Sequence, residues 1–195
     1  MSSTALYFTG PETVERRPLS VEAAPDEVVV ETDASAISAG TELLVYHDAV
    51  PDDMQVDESI EAFDGEFEYP LRYGYAAAGT VVETGAAADD AWLDRSVFCF
   101  RPHQTRFAAD PADLVALPEA VSPAHGALLP TVETATNLVL DSEPRLGESV
   151  VVFGAGVVGL CTTRLLSAFP LSDLTVVEPI SDRRAAATAM GADQR

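Results

Sequence analysis

Three glycines and a carboxylate carry the clearest chemistry in this chain. Gly154, Gly156 and Gly159 are spaced Gly-x-Gly-x-x-Gly, and Glu178 stands 24 residues beyond the first of them. A short apolar run, Val150 to Phe153, leads into the glycines. An amphipathic segment follows, and a second apolar run, Leu174 to Val177, closes on the acid. Strand, glycine turn, helix, strand and carboxylate, in that order, form the context in which this spacing binds a dinucleotide. Gly154 lets the chain turn sharply out of the strand, Gly156 lets backbone approach a pyrophosphate, and Gly159 lets the helix pack closely on the sheet. The helix N-terminus offers N–H groups and the positive end of its dipole to the phosphates. Glu178 can accept hydrogen bonds from a ribose diol, and its charge repels a 2′-phosphate, so NAD is favoured over NADP. Arg183, five residues on, pulls the other way, since it can reach the ribose or a 2′-phosphate. The alternative is a glycine-rich strand–helix turn that holds no ligand.

The elements that must position this turn form two regions. Residues 1 to about 120 read as short strands separated by turn signals: Leu6–Phe8, Glu27–Thr32, Gly79–Glu83, Arg95–Phe100, Thr105–Ala108 and Leu114–Leu117. They predict an antiparallel β-domain of barrel or sandwich type. From Ser122 the pattern turns helical, with Ser122 as cap and Pro123 at the first helical position, a break near Pro130, and resumption to Leu140. The boundary is expected in the polar turn that follows, dividing the chain into 1–146 and 147–195. After Glu178 only one more helical pattern follows, Ser181 to Met190. A dinucleotide fold has two βαβαβ halves, so the sequence reads as the first part of a longer enzyme. The fold class expected is thus β plus α/β, an antiparallel domain followed by the first β-α-β portion of a Rossmann fold.

Composition bounds the partners. Among 195 residues there are 32 acidic side chains against 11 basic ones, all arginine, for a formal charge of −21. This balance argues against nucleic acid and anionic membranes, which need a positive surface. With 47% hydrophobic residues the chain is too apolar for acidic disorder. The expectation is a folded, halophilic, cytoplasmic protein whose carboxylate-rich surface is screened by salt. Its structure should be lost in low-salt buffer, and a melting temperature that stays constant from molar to millimolar salt would rule this out. The acidic stretch Val50 to Glu68 lacks the spacing of a calcium loop and reads as an exposed excursion. Cys99 and Cys161 read as small buried hydrophobes.

Three local patterns extend the reading: Ala34-Ser-Ala-Ile-Ser-Ala-Gly-Thr-Glu42, Tyr73-Gly-Tyr-Ala-Ala-Ala-Gly-Thr-Val-Val-Glu-Thr-Gly85, and the region 149–191. In this order they resemble the medium-chain dehydrogenase/reductase superfamily, whose best-known members are zinc alcohol dehydrogenases, and within it the bacteriochlorophyllide-type dehydrogenases. The resemblance implies a GroES-like β-domain, a Rossmann domain, and hydride transfer between a nicotinamide cofactor and a small alcohol or carbonyl substrate. It also implies a homo-oligomer at full length. The departures are informative. Where zinc members carry a cysteine ligand this chain has Ala39, where they carry Gly-His-Glu it has Gly74-Tyr75-Ala76, and near Leu129-Pro130 no Cys or Glu occurs. No zinc is expected. Thr41 matches the hydroxyl that zinc members use to relay a proton, with a turn-stabilising threonine as the alternative. Tyr75, in place of a zinc-binding histidine, is either a proton donor to a carbonyl oxygen or a space-filling aromatic. His47 matches no family position, His125 reads as structural, and His103 is a candidate substrate contact beside Arg101. The competing functional reading is a truncated or split, non-catalytic product that acts as an interaction module or partner subunit.

Overall fold

The computed structural model describes residues 2–51 and 68–193. Most of the acidic stretch read over 50–68 therefore lies outside the described residues. The chain divides into two compact units, Met1–Leu128 and Leu129–Arg195.

The first unit is antiparallel β. A hairpin of β1 (Ser2–Gly10) and β2 (Thr13–Ser20) stands beside a five-stranded sheet. That sheet contains β3 (Val28–Ser35), β4 (Ala77–Thr84), β5 (Ser96–Cys99), β6 (Arg106–Ala109) and β7 (Val115–Ala116), in the order β6-β3-β4-β5-β7. Its core is built from Val28, Val30, Val81, Val97, Phe107, Ala109 and Leu114, all buried. The six strand runs expected from the sequence fall in β1 and β3 to β7. Two elements were not anticipated. The strand β2 is exposed along nearly its whole length and carries Pro18, which an edge strand tolerates because no ladder N–H is needed there.

The other is a helix, α1 (Ala39–Tyr46). It starts at Ser38, whose backbone N–H donates to Glu42 Oε1 at 2.7 Å, so the acid of the first turn reaches back to the cap residue. A carboxylate at this end also complements the helix dipole. A short helix, α2 (Pro123–Gly126), ends the unit. Ser122 caps it by accepting from the His125 N–H, and Pro123 sits in the first turn, as the sequence indicates.

The second unit opens with α3 (Leu129–Ser142), followed by β8 (Ser149–Phe153), α4 (Val157–Leu166), β9 (Asp173–Val177) and α5 (Ser181–Ala189). The helical break expected at Pro130 falls just before it. Pro130 then occupies the first turn of α3, where a missing N–H costs nothing. Val139 on α3 is buried with Leu166 and Leu174, so this helix groups with the second unit, whereas the sequence places the boundary behind it, at 146/147. Strands β8 and β9 run parallel, from Ser149 against Asp173 to Phe153 against Val177. Their inner face rests on the helices, while Val151, Val177 and above all Phe153, 81% accessible, are exposed. Among the described residues no helix is long and apolar enough to cross a membrane.

Candidate functional site

Each unit gathers one group of candidate residues. In the second, β8 ends at Phe153 and the backbone turns through Gly154, whose φ of +90° is one that residues with a Cβ rarely adopt. The Gly154 N–H donates to the carbonyl of Val177, tying the turn to the end of β9. A Cβ on Gly159 would lie 2.0 Å from the Gly154 carbonyl oxygen, so the start of α4 can sit against the turn only without a side chain there. Gly156 differs from both. Its backbone is extended, and a Cβ there would meet no atom within 4 Å. The protein itself makes no demand for glycine at 156, and the open space it faces is what an incoming pyrophosphate needs. Gly156 is the N-cap of α4 and no side chain caps this helix, which leaves its first-turn N–H groups turned outward.

Glu178 closes this site. It is only 8% accessible, and its two carboxylate oxygens accept from the N–H groups of Ala155 at 2.8 Å and Ile180 at 2.9 Å. These two bonds hold the carboxyl below its ordinary value, against the effect of burial, with the charges of Arg183 and Arg184 adding to them. A carboxylate has about four lone-pair sites, so acceptor capacity for a diol remains while the glycine turn fixes its orientation. Arg183 lies exposed on the first turn of α5. Arg184, which sequence reasoning passed over, donates to the carbonyls of Glu178 and Pro179 and so braces the turn behind the acid. The residues present fit the ADP half of a nicotinamide dinucleotide.

In the first unit, Thr41 Oγ1 and Tyr75 OH stand 3.5 Å apart, and the Ser38 hydroxyl donates to Thr41 Oγ1 at 3.3 Å. Three hydroxyls thus line one locality at the start of α1. Tyr73 lies buried close by, and burial, followed by the neighbouring Tyr75 and Glu42, drives its phenol well above the usual tyrosine range, so it is a donor throughout physiological pH. Ser38, Glu42 and Tyr73 were not singled out in the sequence, although all lie inside the quoted motifs.

His103, read as a candidate substrate contact, lies buried. It is 5% accessible, and its Nε2 and Nδ1 lie 2.8 Å from Glu42 Oε2 and 2.9 Å from Ser35 Oγ. Arg101, expected beside it, pairs with Asp113 at 3.6 Å. His47 lies 3.2 Å from Glu12, and His125 Nδ1 is 3.1 Å from the Ser122 hydroxyl. No disulfide joins Cys99 and Cys161. Cys99 is buried, and burial pushes the thiol of Cys161 up.

Zinc requires three or four N, S or carboxylate donors in tetrahedral array. Thr41 meets hydroxyls, and the neighbouring Glu42 carboxylate and His103 imidazole bond each other. Among the described residues no three His, Cys, Asp or Glu side chains are grouped to hold a metal ion. Among the described residues, the side chains at this locality do not make up such a ligand set.

No protein-family model matches the chain. Over 200 aligned residues it is 30% identical to the 2-desacetyl-2-hydroxyethyl bacteriochlorophyllide A dehydrogenase of Cereibacter sphaeroides, a match that covers 94% of this chain and 59% of that protein. Over most of its length the chain is thus similar to a dehydrogenase of this kind. Its fold is shared with 2R,3R-butanediol dehydrogenase from Bacillus subtilis, with a TM-score of 0.79 at 21% identity over 97% of this chain and 62% of that one. It is also shared with a protein described as a short chain alcohol dehydrogenase from Escherichia coli, solved with NADH, with a TM-score of 0.77 at 16% identity over 98% and 61% of the respective chains. The chain thus spans about three-fifths of the length of each of these three proteins.

Proposed function

We propose that this chain supplies the proton-handling hydroxyls and the ADP-binding turn of a zinc-independent, NAD-preferring oxidoreductase acting on a small alcohol or carbonyl compound. The observation that carries the reading is Gly156: a glycine facing open space at an uncapped helix N-terminus, beside an oriented carboxylate. A bound nicotinamide would supply the site that accepts or gives up hydride. Gly156 and the first turn of α4 would hold its pyrophosphate, and Glu178 its adenosine ribose. The negative charge of Glu178 disfavours a 2′-phosphate, and the exposed Arg183 is the residue that would contact the ribose edge. In the first unit Tyr75 would donate a proton to a carbonyl oxygen as it becomes an alcohol, with Thr41 and Ser38 linking that phenol to further hydroxyls. A protein donor in place of a metal is the form of oxyanion stabilisation this donor set permits. A soluble, cytoplasmic, homo-oligomeric enzyme with no nucleic-acid or membrane partner suits the acidic composition.

The test is NADH formation from a panel of secondary alcohols by the dehydrogenase containing this chain, with and without a strong zinc chelator. Turnover that survives chelation and falls at least about a hundredfold in Tyr75→Phe supports the reading, the scale expected for general acid–base catalysis. Chelator-sensitive turnover, or an undiminished Tyr75→Phe, contradicts it. One observation favours the second reading, a non-catalytic partner subunit: the exposed apolar row of Val151, Phe153 and Val177 suits a covering protein surface. NAD binding by the chain itself would count against that reading.

A further inference from the structure

We infer that His103 is a positioning residue, setting the Thr41–Tyr75 hydroxyl pair from beneath. This rests on the reading of that pair given above and extends it to a buried residue, 5% accessible. Sheet pairing carries β3 and β4 together as far as Ser35 against Ala77, and one more backbone bond joins Ala36 N–H to the Ala76 carbonyl. Beyond that point Thr41 rides on α1 and Tyr75 on the segment leading into β4. The His103 ring lies where it meets the immediate neighbour of each. On one side its Nε2 bonds Glu42, the residue after Thr41, at 2.8 Å. On the other it abuts Gly74, the residue before Tyr75: a Cβ at Gly74 would lie 2.6 Å from Nε2. Gly74 has a φ of +109°, so both backbone shape and ring contact demand glycine there.

The clamp is held at every polar atom. Glu42 Oε1 accepts from the Ser38 N–H, Oε2 accepts from His103 Nε2–H, and Ser35 Oγ completes Nδ1. A carboxylate accepts only, so the ring proton belongs on Nε2. The His103 backbone is held too, its N–H donating to the Tyr73 carbonyl at 3.5 Å and its carbonyl accepting from Leu6 N–H in β1 at 2.9 Å. Such a buried pair adds little net stability over apolar residues of the same shape. Its consequence is geometric: it fixes the first turn of α1 relative to the Gly74–Tyr75 peptide.

The experiment is NMR on the 195-residue chain, following the nuclear Overhauser contact between the Thr41 methyl and the Tyr75 ring, with Val30–Val81 contacts as the check of the sheet. In His103→Leu the Thr41–Tyr75 contact should disappear while the sheet contacts persist. In His103→Gln, whose amide can donate to Glu42 in place of Nε2, it should return. A folded His103→Leu that keeps the contact, or a folded His103→Gln that fails to restore it, overturns the inference. If His103→Leu does not fold, Glu42→Gln decides, with loss of the contact in support and an unchanged contact against. None of these readouts depends on turnover, so the Tyr75→Phe activity test stands or falls separately.

Discussion

The glycine turn at 154–159 is complete within a single β-α-β unit, its partners all drawn from 25 consecutive residues, Gly154 to Glu178. The Thr41–Tyr75 pair is assembled from segments around 35–42, 73–75 and 103, held together through a buried carboxylate and imidazole. Surroundings differ in the same sense. Beneath the hydroxyl pair's unit lies a closed core in which Phe98 is 0% accessible, whereas the strand that feeds the glycine turn ends in the exposed Phe153. A site made of neighbours in sequence depends on backbone shape alone. A site made of distant segments depends on the packing that brings them together. Parallel strands are ordinarily covered on both faces, and in this 195-residue chain one face of β8 and β9 is exposed at Val151, Phe153 and Val177.

The largest effect should separate the two environments. Phe98→Ala, which also removes an edge-on contact with Phe100 at 5.0 Å, should destabilise the first unit by about 3–5 kcal/mol. Phe153→Ala should leave denaturant unfolding within about 0.5 kcal/mol of the parent. Equal losses would erase the contrast. Within the turn itself, Gly159→Ala forces a methyl against the Gly154 carbonyl and should cost about 1–3 kcal/mol. Gly156→Ala meets only open space and should cost less than about 1 kcal/mol, the scale of a weaker N-cap. Calorimetric melting of the two variants checks the order, and a reversal would mean the turn is built otherwise.

The smallest effect is a pH dependence. Because the folded pKa of Glu178 lies below its ordinary value of 4.5, the group binds its proton less readily folded than unfolded. It therefore contributes stability that is fully present above about pH 4.5 and fades as pH falls through the folded pKa. The difference in unfolding free energy between the parent and Glu178→Gln should be constant at neutral pH and shrink only below about pH 4.5. A difference that stays flat into acid would remove the backbone bonds to Ala155 and Ile180 as the cause.

What the sequence makes legible follows the same division. Short strand-forming runs between turn signals locate β1 and β3 to β7, and the Gly-x-Gly-x-x-Gly spacing locates the turn and its acid, because each signal is local. The strand β2 escapes because Glu15, Arg16, Arg17 and Pro18 give an exposed edge strand no apolar alternation. The helix α1 escapes because its start depends on Glu42 folding back to Ser38, and its eight residues are too few to show a period. His103 meets Glu42 across 61 residues of chain, and no spacing rule marks such a pair. That is why His103, read from the sequence as a candidate substrate contact, shows no sign there of its burial.

The central claim is that the turn around Gly156 receives the ADP half of NAD, and calorimetric titration of the chain with NAD and NADP tests it most directly. The account predicts a binding heat for NAD, an affinity for NADP weaker by about tenfold or more, equivalent to about 1.4 kcal/mol, and loss of the NAD heat in Gly156→Val. No heat with NAD, or an undiminished one in a folded Gly156→Val, would contradict it.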